Sequence, residues 1–158
     1  MIERASPPSE IPTVLCHCSA LRTAARRATA LYDKAMAPFG LRISQFGILA
    51  RLRRLGPMSL HALATELVLD RTTLGRNLAP LERDGLVASE ADPTDRRVRR
   101  LVITDAGLAM MRRALPAWNS AQHAYEAQYG VAQSVALRDD LHRLTAALQA
   151  EPGAGDAE

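Results

Sequence analysis

Within about two helical turns, Arg71, Thr72, Thr73, Arg76 and Asn77 bring together groups that can recognise base edges and phosphates. A guanidinium donates twice to guanine, an Asn amide pairs with adenine, and a Thr methyl meets the methyl of thymine. Further along, Arg96, Arg97, Arg99 and Arg100 crowd a short segment that also carries Asp92 and Asp95. Of the 20 basic residues 19 are Arg, the cation whose planar donor fork suits phosphate and guanine. Between Arg42 and Arg100 there are 11 Arg against 7 acidic residues, whereas the rest of the chain holds 9 basic and 10 acidic residues. The surplus is therefore concentrated where those groups lie, which points to a polyanion, although a solvated helix face would show the same polarity.

A second cluster, Cys16-His17-Cys18, has redox or metal-binding types. Two cysteines so close in sequence form no disulfide framework. On a helix their side chains diverge, and an extended segment also gives poor geometry for a mutual bridge. Three adjacent residues do not supply four tetrahedral ligands, so no metal site is expected. Bridging between chains or thiol oxidation stays open, as does a simple apolar role for Cys18. His17, His61, His123 and His142 have no evident nucleophile or carboxylate partner, and there is no glycine-rich phosphate loop. Neither an enzyme nor a cofactor is expected.

The elements that must position these groups follow from periodicity. The 158 residues suit one domain, and no apolar run reaches the ~20 residues of a membrane span. The start of the chain lacks a secretory pattern, so a cytoplasmic location is expected. Residues 1–12, with Pro7, Pro8 and Pro12, read as a flexible arm, and 151–158 as a disordered tail. From about Thr13, apolar residues recur at steps of three and four through Cys18, Leu21, Ala25, Ala28, Tyr32, Ala35 and Phe39, predicting a long helix. Ser44 is read as the cap of a second helix reaching Leu55, Ser59 as the cap of a short third, and Asp70 as the cap of a fourth ending at Gly85. Strands are predicted at Leu86 to Glu90 and Arg97 to Thr104, joined by a turn that Asp92-Pro93 opens. Thr104 then caps a long helix with a kink at Pro116, and a last helix runs from about Ser134 to Gln149.

The sequence is thus mainly α with a small β-hairpin, and two short helices followed at once by a hairpin are the plan of a winged helix-turn-helix. In detail, the run LVLDRTTLGRNLAPLERDGLVASEADPTDRRVRRLVITDAG resembles the MarR family of transcriptional regulators. Three parts carry the resemblance: the helix from Asp70 to Gly85-Leu86-Val87, the wing Asp92-Pro93-x-Asp95-Arg96-Arg97, and the return strand Leu101-Val102-Ile103-Thr104-x-x-Gly107. It implies a single domain over 13–150, with a winged helix-turn-helix at about 41–107 and dimerisation helices at about 13–38 and 105–149.

The implied activity is regulation of transcription, most often repression, by a homodimer on a palindromic operator in double-stranded DNA. Arg71, Thr72, Thr73, Arg76 and Asn77 would enter the major groove. Asp95, Arg96, Arg97 and Arg99 would form the wing contact in the minor groove, with the Asp95 carboxylate orienting the Arg97 guanidinium. Ser44, Ser59 and Arg100 would meet phosphates. Leu141, Leu144 and Leu148 would join the dimer interface. A small aromatic or anionic effector would sit near Arg22, Arg26, Trp118 and Tyr125, although Trp118 and Tyr125 also suit a core. Two alternatives stay open: redox sensing through Cys16 and Cys18, and a winged-helix module that binds protein instead of DNA.

Overall fold

The computed structural model describes residues 16–149; the arm at 1–12, the tail at 151–158 and the expected start of the first helix at Thr13 lie outside the described residues. The chain runs α1 (His17–Met36), α2 (Ile43–Leu55), β1 (Met58–Ser59), α3 (Leu60–Leu67), α4 (Arg71–Arg83), β2 (Val87–Ala91), β3 (Arg99–Ile103), α5 (Asp105–Tyr129) and α6 (Val131–Gln149). A 3-10 turn at Ala37–Phe39 follows α1. The mainly α architecture with a small hairpin wing is as the sequence implies.

The core is built from the apolar stripes. Phe46, Ile48, Leu49 and Leu52 of α2 meet Leu63 and Ala64 of α3, Leu74, Leu78 and Leu81 of α4, and Met111 and Ala114 of α5. Leu86, Val87 and Leu101 close this core on the sheet side. Fully burying one such side chain contributes about 1.5–3 kcal/mol, so α4 is held firmly through its inward stripe while its outward face stays polar.

Local caps set most boundaries. Ser59 Oγ accepts from Ala62 N–H at 3.1 Å, Asp70 Oδ1 from Thr73 N–H at 2.8 Å, and Thr104 Oγ1 from Gly107 N–H at 3.0 Å. Each satisfies an amide that the first helical turn leaves unpaired. Gly85, at φ +69°, takes the left-handed conformation that turns α4 into β2.

Several expectations are corrected. Ser44 is not a cap: α2 begins at Ile43, with Gln45 Oε1 accepting from Arg42 N–H at 2.8 Å and Asp33 Oδ1 from Ile43 N–H at 2.7 Å. The two orphan amides find their partners in Gln45 and in Asp33 on α1, not in Ser44. The hairpin strands are offset by one or two residues from those predicted, pairing Val87 with Ile103 and Ala91 with Arg99. β1 was not foreseen; it adds a third strand in the order β1-β3-β2, with Met58 opposite Leu101. Two residues are too few to show alternation. α6 starts at Val131, directly after Gly130, instead of at Ser134. Ser134 lies in its first turn, its hydroxyl donating to the Gly130 carbonyl at 2.6 Å.

Candidate nucleic-acid interface

The helix-turn-helix is α3 and α4. Val68 ends α3 in the left-handed region at φ 52°, with Leu69 N–H bonded to the Ala64 carbonyl at 2.9 Å. Asp70 then starts α4 and accepts the Thr73 hydroxyl at 2.6 Å as well as its amide. Those two bonds hold the Asp70 carboxyl below the usual carboxylate range.

The five residues expected to face DNA fall into two groups. Arg71, Thr72 and Arg76 are exposed and their side chains engage no protein partner among the described residues. Thr73 and Asn77 are half-buried and already bonded: Thr73 to Asp70, and Asn77 through its Nδ2 to the Thr73 carbonyl at 2.9 Å and its Oδ1 to the Ser44 hydroxyl at 2.8 Å. The Ser59 hydroxyl serves as the α3 cap.

The wing divides in the same way. Between the strands, Asp92 N–H bonds the Val98 carbonyl and Val98 N–H bonds the Asp95 carbonyl, both at 2.9 Å. The Asp95 carboxylate accepts the backbone N–H of Arg97 at 3.0 Å, so it shapes the turn and does not pair with the Arg97 guanidinium as expected. Arg96 and Arg97 are exposed, and their side chains engage no protein partner among the described residues. Arg99 is also exposed, but its guanidinium is engaged by Ser89, donating to its carbonyl and, at 3.2 Å, to its hydroxyl. Arg100 is half-buried with Nε 3.2 Å from Asp92 Oδ2, an ion pair not aligned as a hydrogen bond.

Asp92 is the residue that sequence reasoning undervalued, having been read as opening a turn of the wing motif and not as a site residue. Its Oδ1 accepts the Thr94 hydroxyl at 2.5 Å, the Thr94 amide at 2.7 Å and the Asp95 amide at 3.3 Å. These bonds, Thr94 foremost, together with Arg100, hold its carboxyl below the usual range. The Asp-Pro-Thr-Asp spacing of an Asx turn is the signal that could have revealed it.

Of the four residues expected around an effector, Arg22 and Arg26 are exposed on the first half of α1. Trp118 stacks on Phe46 with ring centroids 6.3 Å apart, as part of the core margin, and Arg26 bonds its own neighbour Thr23. Tyr125 alone of the four lines the cavity of about 290 Å³ between α1, α5 and α6, with Tyr32, Gln122, Glu126, Arg138 and His142. There Tyr32 donates to Gln122 Oε1 at 2.5 Å, and Gln122 Nε2 donates to Glu126 at 2.9 Å. Burial, then the neighbouring Tyr125 and Glu126, raise the Tyr32 phenol above its ordinary value. Cys16 and Cys18 are both exposed, and Cys16 Sγ caps α1 by accepting Ser19 N–H at 3.4 Å. Among the described residues no group of three or more His, Cys, Asp or Glu could hold a metal ion, and no helix is long and apolar enough to cross a membrane.

A buried inward stripe on α4, an outward face of basic and hydroxyl groups, and a three-stranded wing define a winged helix-turn-helix regulator. Comparison with known proteins agrees. Residues 41–98 match the MarR family. The Mycobacterium tuberculosis transcriptional regulator MosR, crystallised in complex with DNA, is 38% identical, with a TM-score of 0.74 over 85% of this chain and 97% of its own. A second MosR crystal structure is matched at 33% identity and a TM-score of 0.76, over 88% of this chain and 99% of that one. The uncharacterised HTH-type transcriptional regulator YxaD of Bacillus subtilis (strain 168) is 34% identical over 92 residues, which span 58% of this chain and 64% of YxaD. The chain belongs to the MarR family, whose members are transcriptional regulators and not enzymes.

Proposed function

We propose that this regulator is a sequence-specific repressor that binds palindromic double-stranded DNA as a homodimer in the cytoplasm. Residues 41–107 form its DNA-binding lobe, and about 13–38 and 105–149 its pairing region. α4 enters the major groove and the wing the minor groove. The observation that carries this is the set of exposed arginines, Arg71 and Arg76 on α4 and Arg96 and Arg97 on the wing, whose heads engage no protein partner among the described residues. The related MosR was crystallised in complex with DNA, which supports the same partner here.

Pairing is supported by the surface that one chain leaves uncovered. Residues 16–27, the first half of α1, are exposed on every side. Leu21, Val135, Leu141, Leu144 and Leu148 are large apolar side chains left in contact with water. A two-fold interface between copies would cover these stripes and set the spacing of two half-sites. Relief by a small aromatic or anionic ligand is supported by the cavity between α1, α5 and α6, where two Tyr rings stand with Arg138 and His142.

Selection of bound sites from random duplexes tests the proposal, with a palindrome expected and the absence of any enriched site refuting it. A winged-helix module that binds protein alone would also enrich none. Sedimentation showing a monomer at every concentration would refute the pairing. A second reading, redox sensing, is favoured by the exposure of both thiols and the place of Cys16 at the head of α1. If peroxide weakens DNA binding by the native protein and not by the Cys16→Ser, Cys18→Ser variant, the thiols are the sensor. Equal responses would remove them.

A further inference from the structure

We infer that Asn77 is a positioning residue that locks the recognition helix to α2 through Ser44, and that base discrimination along α4 falls to Arg71, Thr72 and Arg76; this rests on the DNA-binding reading above. Asn is a natural reader of adenine because its amide presents one donor and one acceptor side by side. Here both are engaged inside the protein. Nδ2 faces the Thr73 carbonyl, which can only accept, so the orientation of the amide is settled by chemistry. Oδ1 therefore faces Ser44, whose hydroxyl donates to it. The side chain is folded back against its own helix and is half-buried. Turning it outward to a base would break both bonds.

The partner helix explains why the link matters. Ser44 sits in the first turn of α2, a helix anchored by Phe46, Ile48, Leu49 and Leu52 in the core. The bond joins residues 33 positions apart, on the exposed side of two helices whose other sides already pack. It therefore adds a restraint to the rotation of α4 that the buried stripe sets, and with it to the directions in which Arg71, Thr72 and Arg76 point. Thr73 is likewise occupied, since its hydroxyl donates to Asp70. Base reading needs unengaged heads, and on this helix face Arg71, Thr72 and Arg76 supply them.

The test compares Ser44→Ala, Asn77→Ala, the double variant, Ser44→Thr and Arg76→Ala in the full-length chain. Measurements use the duplex selected by the native protein and its single-base variants. Ser44→Ala and Asn77→Ala should each lower affinity for the selected site by about threefold to tenfold, the range of one modest hydrogen bond. They should leave the ratio of selected to mismatched binding unchanged at every position. The double variant should lose little more than either single one, because the two residues act through one bond, and Ser44→Thr should retain native affinity. Arg76→Ala should flatten the preference at one position in each half-site.

A loss of preference for one A·T pair in Asn77→Ala, with native preference in Ser44→Ala, would overturn the inference and make Asn77 a reader. The link is also measured without DNA, as thermal midpoints of the native protein, Ser44→Ala, Asn77→Ala and the double variant. Losses in the two single variants that simply add would equally overturn it. If the native protein selects no duplex at all, the DNA-binding reading fails, while the midpoints still decide whether Ser44 and Asn77 are coupled.

Discussion

Replacing Gly107 with Ala sets two physical effects of opposite sign against each other. Gly107 lies in the first turn of α5 and its backbone is ordinary helix, so propensity alone favours Ala by up to about 1 kcal/mol. The space around it decides otherwise. A Cβ there would overlap the Leu86 carbonyl oxygen, and would stand 2.8 Å from Ile103 Cγ1 and 3.1 Å from the Leu86 carbonyl carbon. The main obstacle is backbone, held in place because the Leu86 carbonyl accepts Thr104 N–H at 3.1 Å. Thr104 also donates its hydroxyl to the Gly85 carbonyl at 2.6 Å and caps Gly107.

Relief requires α5 to move off the sheet, which strains or breaks those bonds. Overpacking costs about 1–3 kcal/mol, and weakening the Thr104 bonds about 0.5–1.5 kcal/mol more for each one lost. After the propensity gain, a net destabilisation of about 2 kcal/mol remains. For a chain of 158 residues that corresponds to a fall of about 4–8 °C in Tm. The assay is thermal unfolding by circular dichroism at one fixed protein concentration, since pairing makes Tm concentration-dependent. Gly47→Ala is the control: Gly47 lies within α2 with open space where its Cβ would be, so the same substitution there should raise Tm. A Gly107→Ala protein at or above the native Tm would refute the steric argument.

Three further outcomes are expected. Arg97→Ala should weaken duplex binding and reduce the slope of log K against log salt by about one; an unchanged slope in a titration by fluorescence anisotropy would remove Arg97 from phosphate or groove contact. Val68→Gly should stabilise the protein by about 0.5–1 kcal/mol, because an exposed β-branched residue at φ 52° is strained while Gly is not; a lower midpoint in urea would show that the side chain packs in solution. The Asp70 carboxyl, held low by Thr73, contributes stability that is present above the unfolded value of about 3.9 and disappears as pH falls through its lowered folded value. Asp70→Asn keeps the cap without the charge, so its Tm should fall less between pH 5 and pH 2 than that of the native protein, and parallel curves would contradict the assignment.

What the sequence by itself determined about this regulator is what depends on neighbours within about four residues. Ser59, Asp70 and Thr104 cap helices because a side-chain oxygen meets an amide three positions on. Gly85 ends α4 because only its own conformation is at issue, and the stripes of α4 repeat at the helical period. The order of the helices, the hairpin and the exposed Arg71 and Arg76 were legible for that reason.

What only the tertiary structure decided involves groups far apart in the chain. α2 starts before Ser44 because a carboxylate on α1, Asp33, reaches the amide of Ile43. β1 exists because β3 offers an open edge to Met58 and Ser59. Arg99 and Arg100 look like Arg96 and Arg97 in sequence, yet Ser89 and Asp92 on the facing strand and turn engage their guanidinium groups. Ser44 and Asn77 share no local pattern at all. Their bond forms because the packed stripes of α2 and α4 bring a hydroxyl donor and an amide acceptor to 2.8 Å from each other.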